Sequence, residues 1–133
     1  MDSLKICFNW PFIHAGTLNG LSKSIVNASK EALNSIDLSK HEGGHPRKGA
    51  IDLIPIHPLN ESTSLEECGE LALCIGENLH QTHRELKIFN FGHADLPQKR
   101  DLVKRRKEIG WFNVIIFNFF CAKSGSLIVC HPL

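Results

Sequence analysis

The sequence has almost no excess of charge of either sign. Lys and Arg number 15 and Asp and Glu 14, a formal net charge of +1, so the chain as a whole exerts no general pull on nucleic acid or an anionic membrane. It has no Cys-x-x-Cys pair. Its five cysteines, Cys7, Cys68, Cys74, Cys121 and Cys130, are odd in number. Cys68 and Cys74 fall on roughly opposite sides of one expected helix. A disulfide scaffold and a structural zinc site are thereby disfavoured, and free thiols in a reducing compartment fit better. Long apolar runs are also missing. The longest, residues 114–122, is interrupted by Asn118, whereas a membrane-spanning helix needs about 20 apolar residues. The opening Met1-Asp2-Ser3-Leu4-Lys5 leads into no apolar segment of the signal-peptide kind, so the expected location is cytoplasmic, without a membrane partner. Internal repeats and low-complexity tracts are absent.

What remains is an ordinary globular composition. The 133 residues are 42% apolar and 22% charged, enough for one domain with an adequate core. Residues 4–15 are apolar and aromatic but contain Pro11, and read as a broken or edge strand ending at Gly16. Leu18, Leu21, Ile25, Ala28, Ala32 and Leu33 recur at helical spacing and predict a helix over 18–35. Residues 50–56 read as a buried strand. Thr63 with Glu66, or Ser64 with Glu67, offers a capping box for a helix reaching about Arg84. Residues 86–91 read as a strand ending at Gly92. Pro97 suits the first turn of a further helix and Gly110 its stop, with Trp111 and Phe112 anchoring its end. Residues 114–120 and 126–130 are strand-like. This alternation predicts an α+β fold, a two-layer sandwich of a mixed β-sheet with helices on one face.

Between the first helix and the next strand lies His41-Glu42-Gly43-Gly44-His45-Pro46-Arg47-Lys48-Gly49. Three glycines and a proline in nine residues exclude regular structure there. Glycine lets a ligand approach the backbone closely. Histidine exchanges protons near neutral pH, and arginine can hold a carboxylate through two parallel hydrogen bonds. From composition alone, a surface turn with incidental histidines remains an equal reading. His41 and His45 stand four apart, a metal-ligand spacing on a helix, but the glycines and Pro46 oppose a helix and only His57 is a nearby third ligand. No metal is therefore expected.

The run from Ile36 to Asp52 resembles the signature of glutamate formiminotransferases, including the transferase half of formiminotransferase-cyclodeaminase. The pattern Gly-x-His-Pro-Arg-x-Gly-Ala-x-Asp is met by Gly43 through Asp52. The likeness continues through Pro55, Pro58, Glu67-Cys68 and Phe91-Gly92. It then runs through Ala94-Asp95-Leu96-Pro97-Gln98-Lys99-Arg100, Arg105-Arg106-Lys107 and Gly110-Trp111-Phe112, where it is closest to stand-alone N-terminal subdomains of this family. The resemblance implies residues 1–112 as an incomplete formiminotransferase N-terminal subdomain and 113–133 as a divergent tail. It implies transfer of a formimino group from N-formiminoglutamate to tetrahydrofolate as co-substrate, with His45 catalytic as the proton shuttle. Arg47, Asp52 and His41 are weaker candidates for substrate or folate binding.

The sequence also departs from the family. A Pro-Asn-Phe-Ser-Glu-Gly segment and an Asn-Arg-Ser/Thr-Val element are not found near the start. Gly44 and His93 stand where relatives carry acids, and no second subdomain is seen. Impaired transfer is expected for this short form, along with an exposed sheet edge open to self-association. A non-catalytic remnant that binds folate or a partner is the rival reading.

Lys99, Arg100, Lys104, Arg105, Arg106 and Lys107 concentrate six cations in nine residues. A solvated face, a polyanion site such as one for the polyglutamate tail of folate, and a nucleic-acid site are the three readings. The last ranks lowest because no aromatic residues interleave, and no nucleic acid is expected as a partner. The cysteines read as core packing rather than nucleophiles.

Overall fold

The computed structural model describes residues 4–7, 13–40, 50–110 and 125–130. Five strands and three α-helices occur among them: β1 Leu4–Cys7, β2 Ile13–Gly16, α1 Leu18–Ser35, β3 Ile54–Pro58, α2 Leu65–Thr82, β4 Lys87–Phe91, α3 Leu102–Glu108 and β5 Gly125–Cys130. The fold is α+β. The histidine loop at 41–49, the strand expected over 114–120, and Trp111 and Phe112 lie outside the described residues.

Local chemistry sets the helix limits. Thr17 caps α1 by accepting from the Gly20 N–H at 3.3 Å. Of the two capping boxes open in the sequence, the one at Ser64 forms. The Glu67 N–H donates to Ser64 Oγ at 3.1 Å and the Ser64 N–H to Glu67 Oε2 at 2.7 Å, so two orphan donors of the first turn are satisfied reciprocally. The third helix starts later than Pro97 suggests. Asp101 is its cap, accepting from the Lys104 N–H at 2.8 Å, because residues 95–100 are held in a tight turn by the Asp95 carboxylate. Gly110 follows α3 with φ 72°, the left-handed conformation that glycine adopts without strain.

The sheet order is β2-β1-β3-β5-β4. Every described pairing is antiparallel: β1 with β2, β1 with β3, β3 with β5, and β5 with β4. The expected mixed sheet is therefore corrected. Strands β2, β3 and β4 do point the same way, as helical crossovers through α1 and α2 require, but β1 and β5 are inserted between them. The result is two split β-α-β units sharing β3. The last strand comes from the stretch read as a tail, and it lies inside the sheet. The strand expected from residue 50 begins only at Ile54.

One core joins α1 and α2 to β3. Ile25, Ile54, Ile56, Cys68, Ala72, Ile75 and Leu79 are fully buried in it, and each large aliphatic side chain contributes about 1.5–3 kcal/mol. Strand β4 then shows the period-two alternation of a strand between two layers. Ile88 packs on the α1–α2 core, while Phe89 and Phe91 join a second cluster with Leu102, Ile109 and Leu53. The helix α3 therefore covers the opposite face of β4, and the expectation of helices on one face fails there.

Candidate functional site

The chemistry proposed from the sequence centres on Gly43 through Asp52. His41, His45 and Arg47 lie outside the described residues, so the structure locates the far end of the segment. Asp52 stands between the buried Ile51 and Ile54. Its Oδ2 accepts from Arg106 Nη2 at 3.2 Å, across 54 residues of sequence. The two side chains are only 13% and 14% exposed. A residue of the last basic helix thus grips the end of the histidine segment.

Arg105 on that helix and Arg100 just before its cap are also turned inward. Arg105 donates from Nε to the Asn90 carbonyl at 2.8 Å, and its guanidinium lies 5.7 Å from the centroid of the Phe89 ring. Its Nη1 also meets Glu108 at 3.2 Å. Arg100 holds Asp95 through Nε to Oδ2 and Nη2 to Oδ1, both at 2.6 Å, and reaches Glu108 at 2.9 Å. The Arg100 side-chain hydrogen bonds hold the Asp95 carboxyl below the usual carboxylate range, and the carboxylate in turn raises the guanidinium. Lys99 carries φ 45°, a strained conformation for a side chain with a Cβ that costs on the order of 1–3 kcal/mol. The Asp95–Arg100 grip on the same turn offsets it.

Of the six cations, only Lys104 and Lys107 stand exposed without an ion pair among the described residues. Lys99 meets Glu66 at 3.5 Å and His93 Nδ1 at 3.4 Å, and His93 Nδ1 meets Glu66 at 3.2 Å. At His93, where an acid was expected, Glu66 on α2 now supplies one. Its carboxyl is held low by a backbone hydrogen bond first, with Lys99 and His93 adding to it. A basic surface dense enough for a polyanion is reduced to two lysines.

A separate open cleft of about 530 Å³ runs between α2 and β4, lined by Leu73, Glu77, His80, Leu86, Ile88 and Asn90. Strand β4 separates it from α3, so it is not part of the Asp52 neighbourhood. Among the described residues no three His, Cys, Asp or Glu side chains gather as a metal site, and no helix is long and apolar enough to cross a membrane. Cys68 is a free, buried thiol, pushed up to about 11 by burial first and by Glu67 second, which makes it a packing residue and a poor nucleophile.

The formiminotransferase domain, N-terminal subdomain, matches residues 8–118. The chain belongs to this family. A glutamate formimidoyltransferase of Streptococcus pyogenes serotype M1 is 38% identical over 98 residues, covering 68% of this chain and 31% of the relative. A formimidoyltransferase-cyclodeaminase of Dictyostelium discoideum is 29% identical over 97 residues, or 73% of this chain and 18% of that protein. The mouse formimidoyltransferase-cyclodeaminase is 36% identical over 78 residues, 58% of this chain and 14% of that protein. The chain thus spans under a third of the length of these relatives. No solved structure matches.

Sequence reasoning missed the Asp52–Arg106 contact. The basic run signalled something, but charge density cannot say which cations point inward. That is decided by the docking of α3 on Phe89 and Phe91.

Proposed function

We propose that this chain presents the histidine segment of folate-dependent formimino transfer, with N-formiminoglutamate and tetrahydrofolate as its substrate class. His45 is the proton carrier in this reading. The tetrahydrofolate nitrogen attacks the formimino carbon and gives up a proton to the imidazole. The carbon–nitrogen bond to glutamate breaks, and the imidazole returns the proton to the departing glutamate nitrogen. An imidazole can serve both steps, because histidine ordinarily exchanges protons near neutral pH. Arg47 holds a carboxylate, His41 assists binding, and Asp52 orients the segment. The observation that carries the reading is the family match over residues 8–118, which contains the whole Gly43–Asp52 pattern.

Residues 1–112 form the subdomain, and the divergent tail lends β5 to its sheet. The two helices α1 and α2 on one sheet face make the sandwich that supports the segment. A cytoplasmic place in histidine-derived one-carbon metabolism completes the reading, consistent with the free thiols of Cys68 and Cys74. Self-association uses the sheet edges β2 or β4 in this reading.

These 133 residues by themselves transfer weakly or not at all, since holding two reactants in one geometry takes both walls of a cleft. A second reading is folate binding without turnover, since one wall of a cleft can hold a ligand without aligning two reactants. Purified protein assayed with formiminoglutamate and tetrahydrofolate decides between them. Turnover lost in His45→Ala establishes an active short form. No turnover together with a calorimetric signal for folinic acid establishes the binding form. Absence of both removes the folate reading.

A further inference from the structure

We propose that His93 is a proton-operated latch between α2 and the turn that leads into α3, exchanging Lys99 for Glu66 as the partner of its Nδ1 when the ring gains a proton. None of the three residues belongs to the Gly43–Asp52 pattern, and the latch is independent of the transferase reading.

Three atoms form a near-equal triangle. His93 Nδ1 lies 3.2 Å from Glu66 Oε1 and 3.4 Å from Lys99 Nζ, and Lys99 Nζ lies 3.5 Å from the same Glu66 oxygen. One ring nitrogen thus faces a carboxylate and an ammonium at once, and it carries either a lone pair or a proton. In the neutral ring the lone pair accepts from Lys99, whose ammonium has further N–H donors for Glu66, so one lysine serves both acceptors. A proton on Nδ1 removes the acceptor. The imidazolium then donates to Glu66 and repels Lys99. The His93 side chain is 21% exposed, so solvent screens these contacts only in part.

The main chain holds the three side chains to this meeting. The His93 carbonyl lies so close to Gly69 of α2 that a Cβ there would come within 2.7 Å of its oxygen. The Gly92 N–H donates to the Arg100 carbonyl at 2.7 Å and the Lys99 N–H to the Asp95 carbonyl at 2.5 Å, which closes the turn that carries Lys99. Ser64 caps the turn of α2 that carries Glu66. The other charges nearby are engaged or exposed. On α2, Glu67 is taken up by the Ser64 box and Glu70 stands exposed. In the turn, Asp95 and Arg100 are closed on each other. Strand β5, which packs against residues 92–94, carries no charged residue. Histidine ordinarily changes charge between about pH 5 and 8, where lysine and glutamate keep theirs.

The test compares thermal melts of the full chain at about pH 5.5 and pH 8 for the parent, Lys99→Met, Glu66→Gln, His93→Gln and the two double variants that contain His93→Gln. Lys99→Met should lower Tm by about 2 °C more at pH 8 than at pH 5.5, and Glu66→Gln by about 2 °C more at pH 5.5 than at pH 8. Both pH dependences should vanish in the His93→Gln background. Proton NMR of the parent supplies a second readout. The Lys99 ε-methylene and Glu66 γ-methylene resonances should move with the same midpoint as the His93 ring protons, and should stay still over that range in His93→Gln. Equal losses at the two pH values, or a pH dependence that survives His93→Gln, would overturn the proposal. Lys99 and Glu66 resonances indifferent to the His93 midpoint would overturn it too. Should His93→Gln fail to fold, the NMR titration of the parent decides alone.

Discussion

Arg100 closes on Asp95 like a fork, with two 2.6 Å hydrogen bonds from one guanidinium edge to both carboxylate oxygens and a third from the Arg100 backbone N–H to Oδ2 at 3.0 Å. The carboxylate is only 7% exposed. This pair ties the turn after β4 to the start of α3, and α3 is the element from which Arg106 reaches Asp52.

Asp95→Asn should destabilise by about 1–2 kcal/mol, since it removes the charge from a bidentate pair whose arginine stays partly exposed and keeps Glu108 as a partner. Urea denaturation of the two proteins measures it. A loss below about 0.5 kcal/mol, as for exposed pairs, would show that solvent screens the grip.

The same pair sets an acid limit. Arg100 depresses the folded-state pKa of Asp95, so its contribution is complete above the unfolded value of about 3.9 and is lost as pH falls through the lower, folded value. The stability difference between the parent and Asp95→Asn should be constant from neutral pH to about pH 5 and shrink below about pH 4. A difference that persists undiminished at low pH would assign the effect to shape instead of charge.

Two glycines of α2 should respond oppositely to alanine. A Cβ on Gly69 would sit 2.7 Å from the His93 carbonyl oxygen, a backbone atom that cannot step aside. Gly69→Ala should destabilise by about 1–3 kcal/mol despite the better helix propensity of alanine. A Cβ on Gly76 would meet Ile88 Cγ2 at 3.5 Å, an ordinary contact, so Gly76→Ala should stabilise by up to about 1 kcal/mol. Thermal melts of both variants read the contrast, and shifts of the same sign would contradict the packing described.

Ser64→Ala removes the hydroxyl that accepts from the Glu67 N–H, leaving the backbone arm from the Ser64 N–H to Glu67 in place, and should cost about 0.5–2 kcal/mol. The loss should fall on α2 first, visible as faster amide exchange in its opening turn.

Cys74 is exposed and Cys68 buried, with the Cys68 thiol raised to about 11. A maleimide added to the folded protein at about pH 7.5 should therefore label Cys74 and leave Cys68 until denaturant is added. Peptide mapping of native Cys68 labelling at the rate of Cys74 would contradict the buried placement.

Much of the architecture was readable from local rules. The period of Leu18, Leu21 and Ile25 specifies α1, and Ser64 with Glu67 specifies where α2 begins, because caps and apolar stripes act within one or two turns of chain. The Gly43–Asp52 pattern identified the family for the same reason, being contiguous. Pro97 misled, since its fitness for a first helical turn was overruled by Asp95 and Arg100 closing a turn across it. Strand order, the antiparallel insertion of β5, the placing of α3 on the far face of β4 and the reach of Arg106 to Asp52 were decided only by tertiary structure. Each depends on which distant surfaces bury one another, and burial energy depends on area in space while neighbourhood in sequence leaves it undetermined.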